Sequence, residues 1–247
     1  QPNLDLEKKL FEAKKLSSAG KFQKSIKIFL KMLKKEPDNY FLLNSLAIVY
    51  QLNNQFFLAE NYFNKSINKN KSYVDAYINL SKLKIIEEKN SDAEKVLEDC
   101  FKNCDEKGQL KILFELAYFN RSMGNLEKSK YYTNEILKID KYEPFAHKLL
   151  SSLQSYKKND PHIKQLEEII KLKSNIQTSF DNYYFALGKA YEDTNQFDLS
   201  AKNYLKGNLT KKKDSKNVLL EFKILTDSIY SFFDSFDFDK FDISYKS

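Results

Sequence analysis

The sequence predicts an all-α protein, a right-handed superhelix of antiparallel helix pairs with about 12 to 13 helices. Three observations carry this. Glycine (5) and proline (4) are too scarce among 247 residues for a sandwich or a loop-rich α/β enzyme, because tight turns draw on both. Hydrophobic residues make up 42% and charged residues 30%, which is enough apolar material for a long packed core and too much for disorder. Small and large residues recur together with a period of about 34, as expected of units that bury their apolar faces by stacking.

In chain order, the first unit places Ala13, Gly20, Phe22, Ser25, Phe29, Met32 and Pro37 at the eighth, fifteenth, seventeenth, twentieth, twenty-fourth, twenty-seventh and thirty-second positions of this repeat. The second follows with Leu43, Leu46, Ala47, Tyr50, Phe56, Ala59 and Phe63, and the third with Tyr77, Leu80, Ser81, Ala93, Leu97 and Cys100. Two residues are inserted near Gly108, read as a glycine between repeats. The fourth unit resumes with Leu113, Leu116, Ala117, Gly124, Leu126, Ser129 and Ile136. Small residues stand where paired helices touch, and large ones where they interlock.

The fifth unit departs from the pattern. Phe145, Leu149, Leu150 and Leu153 make its first helix, but SYKKNDPHI follows where a regular turn should stand. Asp160 caps and Pro161 opens the next helix, through Ile163, Leu166, Ile169, Ile170 and Leu172, before a loop around Lys173 to Thr178. The sixth unit carries Tyr184, Leu187, Gly188 and Tyr191 on one helix. After an Asn195-Gln196 turn, Phe197, Ser200, Tyr204 and Gly207 lie on the other. Glycine costs a helix interior about 1 kcal/mol relative to alanine, so Gly188 and Gly207 are expected at facing positions where two backbones approach closely. Val218, Leu219, Phe222, Leu225, Ile229, Phe232 and Phe233 continue as an amphipathic stretch. The expected organisation is four regular units over 1–142, an atypical pair over 143–178, a sixth unit over 179–213, a capping helix over 214–236 and a tail or linker over 237–247.

These residues resemble the tetratricopeptide repeat, a helix-turn-helix unit that implies a binding scaffold. A narrower resemblance covers residues 143 to 235. Asp160-Pro161-His162, the run Phe185-Ala186-Leu187-Gly188-Lys189-Ala190-Tyr191 and the close Tyr204-Leu205-Lys206-Gly207-Asn208 are similar to the N-terminal repeat region of bacterial tetratricopeptide sulfotransferases. That family usually has alanine or another small residue at Ser200 and often phenylalanine at Ala201, so the match there is partial. The resemblance implies a following catalytic domain whose P-R-S-G-T-type loop binds 3′-phosphoadenosine-5′-phosphosulfate through backbone N–H groups. These residues hold no such loop. Asn120-Arg121-Ser122-Met123-Gly124 echoes it faintly, at a repeat turn with no strand before it. No cofactor is therefore expected within this chain.

Composition excludes other functions. Net charge is +7, which would suggest nucleic acid, but Arg121 is the only arginine, and arginine is the side chain that forks onto phosphates and stacks on bases. An RNA-binding superhelix is thus the third reading, behind a sulfotransferase-associated scaffold and a free-standing repeat adaptor. No window is apolar enough to span a membrane, so a cytoplasmic protein is expected, with its true start upstream of Gln1. Cys100 and Cys104 give an i, i+4 pair, too few ligands for a metal; Cys100 is expected in the core and Cys104 at a helix end. His147 and His162 lie apart in the repeat, with His162 read as part of a helix start. G-x-S-x-G, Gly-rich and H-E-x-x-H motifs are absent from the sequence.

The remaining functional surface is a groove lined by the first helix of each pair. Its inward positions are the second, fifth, ninth and twelfth of each repeat. They select Leu10, Lys14, Phe41, Ile48, Asp75, Ile78, Lys82, Ile85, Lys111, Phe114, Tyr118, Arg121, Phe185 and Lys189. This mixture of apolar and basic side chains predicts a protein or peptide ligand with hydrophobic anchors and acidic residues, the lysines steering and the aromatics holding. Two groove chemistries fail on residue type. A carboxylate clamp is interrupted by Leu10, Ile48 and Glu115, and an asparagine ladder has only Asn79. The tail from Phe232 to Phe241, with Asp234, Asp237, Asp239 and Asp242 interleaved, reads as the end of a capping helix or as a surface that meets a following domain.

Overall fold

The computed structural model describes residues 4–172 and 180–211, and every element among them is an α-helix. In order these are α1 (Leu4–Ser18), α2 (Phe22–Lys35), α3 (Tyr40–Leu52), α4 (Phe56–Lys69), α5 (Val74–Ile86), α6 (Asn90–Asn103), α7 (Glu106–Ser122), α8 (Leu126–Ile139), α9 (Pro144–Ser152), α10 (Pro161–Leu172) and α11 (Asp181–Asp193), followed by α12 (197–211). The loop expected around Lys173 to Thr178, the capping helix of 214–236 and the tail of 237–247 lie outside the described residues. The chain divides into two compact units, Gln1–Lys141 and Tyr142–Ser247.

In the first unit each helix from α1 to α8 packs on its neighbours in sequence, and the first helices α3, α5 and α7 also touch one another in succession. The turn inside each pair has one chemistry. Gly20, Asn54, Glu88 and Gly124 adopt positive φ of 72°, 57°, 61° and 77°. The following N–H groups of Lys21, Gln55, Lys89 and Asn125 donate back to the carbonyls of Leu16, Tyr50, Lys84 and Asn120 at 2.8–2.9 Å. This left-handed closure satisfies carbonyls that the ending helix leaves open.

The pairs are joined at their small residues by a recurring hydrogen bond. Ser25 Oγ donates to the Ala13 carbonyl at 2.8 Å, Ser81 to Ala93 at 3.0 Å and Ser129 to Ala117 at 2.8 Å, each twelve residues apart. The serine switches helix in the third pair, and the second pair uses Ala47 and Ala59, both buried. Small side chains admit close backbone approach, and the hydroxyl finds an acceptor without leaving a buried polar group unpaired. Around these joints Phe29, Leu46, Phe63 and Leu83 are fully or almost fully buried, each stabilising the stack by about 2–3 kcal/mol.

Gly108 corrects the expectation of a glycine between repeats. It lies in the first turn of α7, where its N–H donates to the N-cap Asp105 Oδ1 at 2.8 Å. An added Cβ would stand 2.8 Å from Cys104 Cβ and 2.9 Å from Val74 Cγ2. The two inserted residues are absorbed by a longer helix, and glycine is the residue that fits against α5 and the end of α6.

In the second unit α9 packs on α11, and α10 packs on α11 as well. Ser151 Oγ donates to the Ala186 carbonyl at 3.0 Å. Pro144 stands at the start of α9, and Asp160 accepts from the His162 N–H at 2.9 Å to cap α10. Asn195 repeats the left-handed turn at φ 60°, and Ser200 repeats the serine joint, donating to the Gly188 carbonyl at 2.8 Å. Gly188 and Gly207 do not oppose each other as expected. A Cβ on Gly188 would meet the Tyr204 ring at 2.8 Å, and one on Gly207 the Phe185 ring at 2.9 Å. Each glycine leaves a seat for an aromatic ring of the partner helix, so what approaches closely is ring against backbone.

Candidate functional site

The succession of α1, α3, α5 and α7 presents its side chains on one face of the first unit, where a hollow of about 310 Å³ opens. Lys14 comes from α1, Phe41, Asn44, Ser45 and Ile48 from α3, Asp75, Ile78, Asn79 and Lys82 from α5, Lys111 and Glu115 from α7, and Tyr73 from the N-cap of α5. Seven residues of the expected groove, Lys14, Phe41, Ile48, Asp75, Ile78, Lys82 and Lys111, therefore meet at one place.

Ile78 is only 5% exposed and forms part of the floor, while Phe41 stands 37% exposed at the rim. The Lys14 ammonium sits over the Phe41 ring, 5.2 Å from its centroid, an attraction of ammonium to the ring's negative face. Lys111 pairs with Asp75 at 2.6 Å across two helices. Lys14 and Lys82 are exposed and have no ion pair among the described residues. At the base, Asn79 Nδ2 donates to Asn44 Oδ1 at 3.1 Å, and Asn44 is buried. The Tyr73 ring stacks at a tilt on Tyr40, 4.9 Å between centroids. Burial first, and then the Asp75 carboxylate, push the Tyr73 hydroxyl up to about 12, so it remains a neutral hydrogen-bonding group at ordinary pH. The hollow thus offers amide dipoles and a phenol at its base, an aromatic and an aliphatic wall, and three lysines against two carboxylates.

The other expected groove residues are placed differently. Ile85 is exposed near the end of α5, and Phe114 and Tyr118 stack one turn apart on α7 with centroids 6.3 Å apart. Arg121 is exposed at the last turn of α7. None of these four lines the hollow. Phe185 and Lys189 belong to the second unit. Phe185 seats against Gly207, with the Lys148 ammonium 5.0 Å from its centroid. Lys189 donates to the Gln154 carbonyl at 3.2 Å and pairs with Asp193 at 2.5 Å. Sequence reasoning missed Asn44, although it stands at the fifth position of its repeat. It also missed Tyr73, which precedes its helix and so falls outside any helical register.

The histidines require a correction. Although fifteen residues apart and assigned separate roles by the sequence, they touch: His147 Nδ1 lies 2.8 Å from His162 Nε2. The other ring nitrogen of His162 lies 2.6 Å from the Tyr156 hydroxyl, and all three residues are buried. With His162 neutral, one ring nitrogen donates and the other accepts, which suits a chain of this kind. Burial, reinforced by His147, pushes His162 down to about 4. Nearby, the Tyr156 N–H donates to Asp193 at 3.0 Å. Burial pushes the Asp193 carboxyl up, but Lys189 and that backbone N–H outweigh it and hold the carboxyl below its ordinary value.

Cys100 is fully buried and Cys104 caps the end of α6, both as free thiols. Burial pushes Cys100 up to about 12, which leaves almost no thiolate for chemistry. Among the described residues no cluster of three or more His, Cys, Asp or Glu is placed to hold a metal ion, and no helix is long and apolar enough to cross a membrane. Asn120, in the run that faintly echoes a phosphate loop, spends its amide on Glu94 at 2.9 Å and the Leu116 carbonyl at 3.0 Å.

No family model and no curated protein matches the chain. Solved structures do. The C-terminal part of a TPR repeat-containing protein from Cytophaga hutchinsonii matches with a TM-score of 0.56 at 16% identity, over 82% of this chain and 79% of that one. The pilF protein of Pseudomonas aeruginosa matches with a TM-score of 0.55 at 12% identity, over 85% and 96%. At such identities the likeness concerns the fold. The all-helical architecture is that of a tetratricopeptide-repeat solenoid.

Proposed function

We propose that the first unit is a binding module whose hollow receives a protein segment carrying apolar and acidic side chains. The observation that carries this reading is the meeting of Lys14 and Lys82, neither held in an ion pair among the described residues, around the exposed Phe41 ring and above the Asn44–Asn79 amides. Such a floor can pair with a peptide backbone, the ring can hold an apolar anchor, and the ammonium groups can meet a carboxylate. The test is titration of the chain with peptides that alternate apolar and acidic residues, beside lysine-substituted controls. Acidic peptides should bind, more weakly as salt rises, and Phe41→Ala with Lys82→Ala should weaken them by about tenfold or more. Equal affinity for both peptide sets, or no effect of the two substitutions, would sink the reading.

The parent protein is a separate question. Residues behind the sulfotransferase resemblance, Phe185, Gly188, Tyr204 and Gly207, are spent on interlocking α11 with α12, so they carry no chemistry of their own. The reading of this chain as the partner-binding region of a sulfotransferase-like protein rests on sequence likeness. Its test is the coding sequence beyond Ser247. A strand followed by a P-R-S-G-T-type loop would supply the site for 3′-phosphoadenosine-5′-phosphosulfate, and a stop codon would leave a free-standing adaptor.

A further inference from the structure

A second hollow, of about 270 Å³, opens between α4 and α6, which both pack on α5. It shares no lining residue with the hollow around Phe41. Its floor is Tyr77 and Leu80, both buried, its walls are the half-buried Ile67 and Val96, and Lys71 and Asp99 stand exposed at the rim with two asparagines beside them. Tyr77 is only 5% exposed, yet its hydroxyl makes no hydrogen bond among the described residues. Every fully enclosed side-chain nitrogen or oxygen among them has a partner, so the unpartnered Tyr77 oxygen reaches the hollow rather than the core. The fold does not require it, because the matching positions of the neighbouring units are Leu43 and Leu113. Burial first, and then Cys100 and Asp99, push the phenol up, so it is a neutral hydrogen-bonding group at ordinary pH.

The rim and walls define what would meet this hydroxyl. Lys71 has no ion pair among the described residues. Asp99 has one among them, an exposed contact with Lys102 at 3.5 Å one turn away, of a kind that contributes little. One ammonium against one carboxylate is complemented by a molecule that carries one of each. Drug-sized ligands fill about 300–1,000 Å³, so this space suits a smaller molecule, and its walls are aliphatic. We propose that this hollow is a second binding site, one that takes a free aliphatic α-amino acid. The carboxylate of the ligand meets Lys71. Its ammonium lies between Asp99 and the Tyr77 oxygen, which accepts from it, and its side chain packs on Ile67, Leu80 and Val96.

The experiment is a titration of the full chain with L-leucine, followed by NMR at the methyl groups of Ile67, Leu80 and Val96. L-Leucinamide, which lacks the carboxylate, and N-acetyl-L-leucine, which lacks the ammonium, are the controls. L-Leucine should shift these methyls to saturation with a Kd below about 1 mM, and each control should bind about tenfold more weakly or worse. Tyr77→Phe should weaken leucine about fivefold to tenfold without lowering the melting temperature, since the hydroxyl has no partner in the fold. Lys71→Ala with Asp99→Ala should bring the three probes within about threefold of one another. Phe41→Ala with Lys82→Ala should leave the titration unchanged, which separates this site from the peptide hollow. A Kd above about 1 mM, equal affinity for the three probes, or unchanged binding in Tyr77→Phe would overturn the proposal. So would a lowered melting temperature in Tyr77→Phe, which would assign the hydroxyl to the fold, or loss of the shifts in the Phe41 and Lys82 variant.

Discussion

The two units join helices by the same serine bond and the same left-handed turn, and differ in what packs around the joint. In the first, the joint is serine or alanine against alanine, and the turn beside it repeats through Gly20, Asn54, Glu88 and Gly124. In the second, the partner of Ser200 is Gly188, a ring fills the space beside it, and α9 packs on α11, with a buried histidine pair between α9 and the start of α10. A joint made of backbone and small side chains can be copied from pair to pair. A joint made of a specific ring or a specific tautomer works in one place and is sensitive to that place's chemistry.

Acid should separate the units most strongly. Folding lowers the pKa of His162 from 6.5 to about 4. Between those values the unfolded chain binds a proton that the folded second unit refuses. Stability of that unit is complete above pH 6.5, falls as the pH drops from there, and levels off below about 4, a loss of roughly 3 kcal/mol. The first unit contains neither of the two histidines. Urea titrations at pH 7 and pH 4.5, followed at the methyl groups of Ala146 and Ala47, should show the larger loss at Ala146, and His162→Gln should remove the excess. Equal losses at both methyls would falsify this role for the pair.

Gly188→Ala should come next. Its Cβ would stand 2.8 Å from a Tyr204 ring whose hydroxyl is held by Glu192 at 2.9 Å. Overpacking should cost about 2 kcal/mol even after the better helix propensity of alanine. The contrasting substitution in the first unit, Gly124→Ala, meets open space but a φ of +77°, and should cost about 1 kcal/mol from backbone strain alone. Denaturant midpoints for the two variants would rank them, and the reverse order would mean that the ring moves aside.

Glu88→Gly should stabilise the first unit by about 1 kcal/mol, because Glu88 occupies at φ 61° a conformation that glycine adopts freely. A rise of a few degrees in the melting temperature is the expected reading. Smallest is the shared element: Ser129→Ala and Ser200→Ala should each cost about 0.5–1 kcal/mol. A much larger loss at Ser200 would show that the glycine joint depends on its hydroxyl more than the alanine joint does.

Half of the expected groove was legible in the sequence, because Lys14, Phe41, Ile48, Asp75, Ile78, Lys82 and Lys111 meet through a register that a helical period already contains. Tyr73 enters the hollow from a position before its helix, where no period applies. Phe185 and Lys189 obey the register yet serve the second unit's own packing, since a ring beside a glycine and a lysine beside a carboxylate find closer partners than solvent.

Spacing and residue size by themselves determined the helix pairs, the places of the turns between them and the small residues at each joint, because these are settled within about 34 residues of chain by local backbone preference and one repeated contact. Only the tertiary structure decided that His147 meets His162, that each glycine of the sixth pair seats a ring, and that Lys111 is held by Asp75 while Lys82 has no ion pair among the described residues. Those outcomes depend on which side chains arrive at one point through space, and side-chain chemistry without distance does not specify the partner.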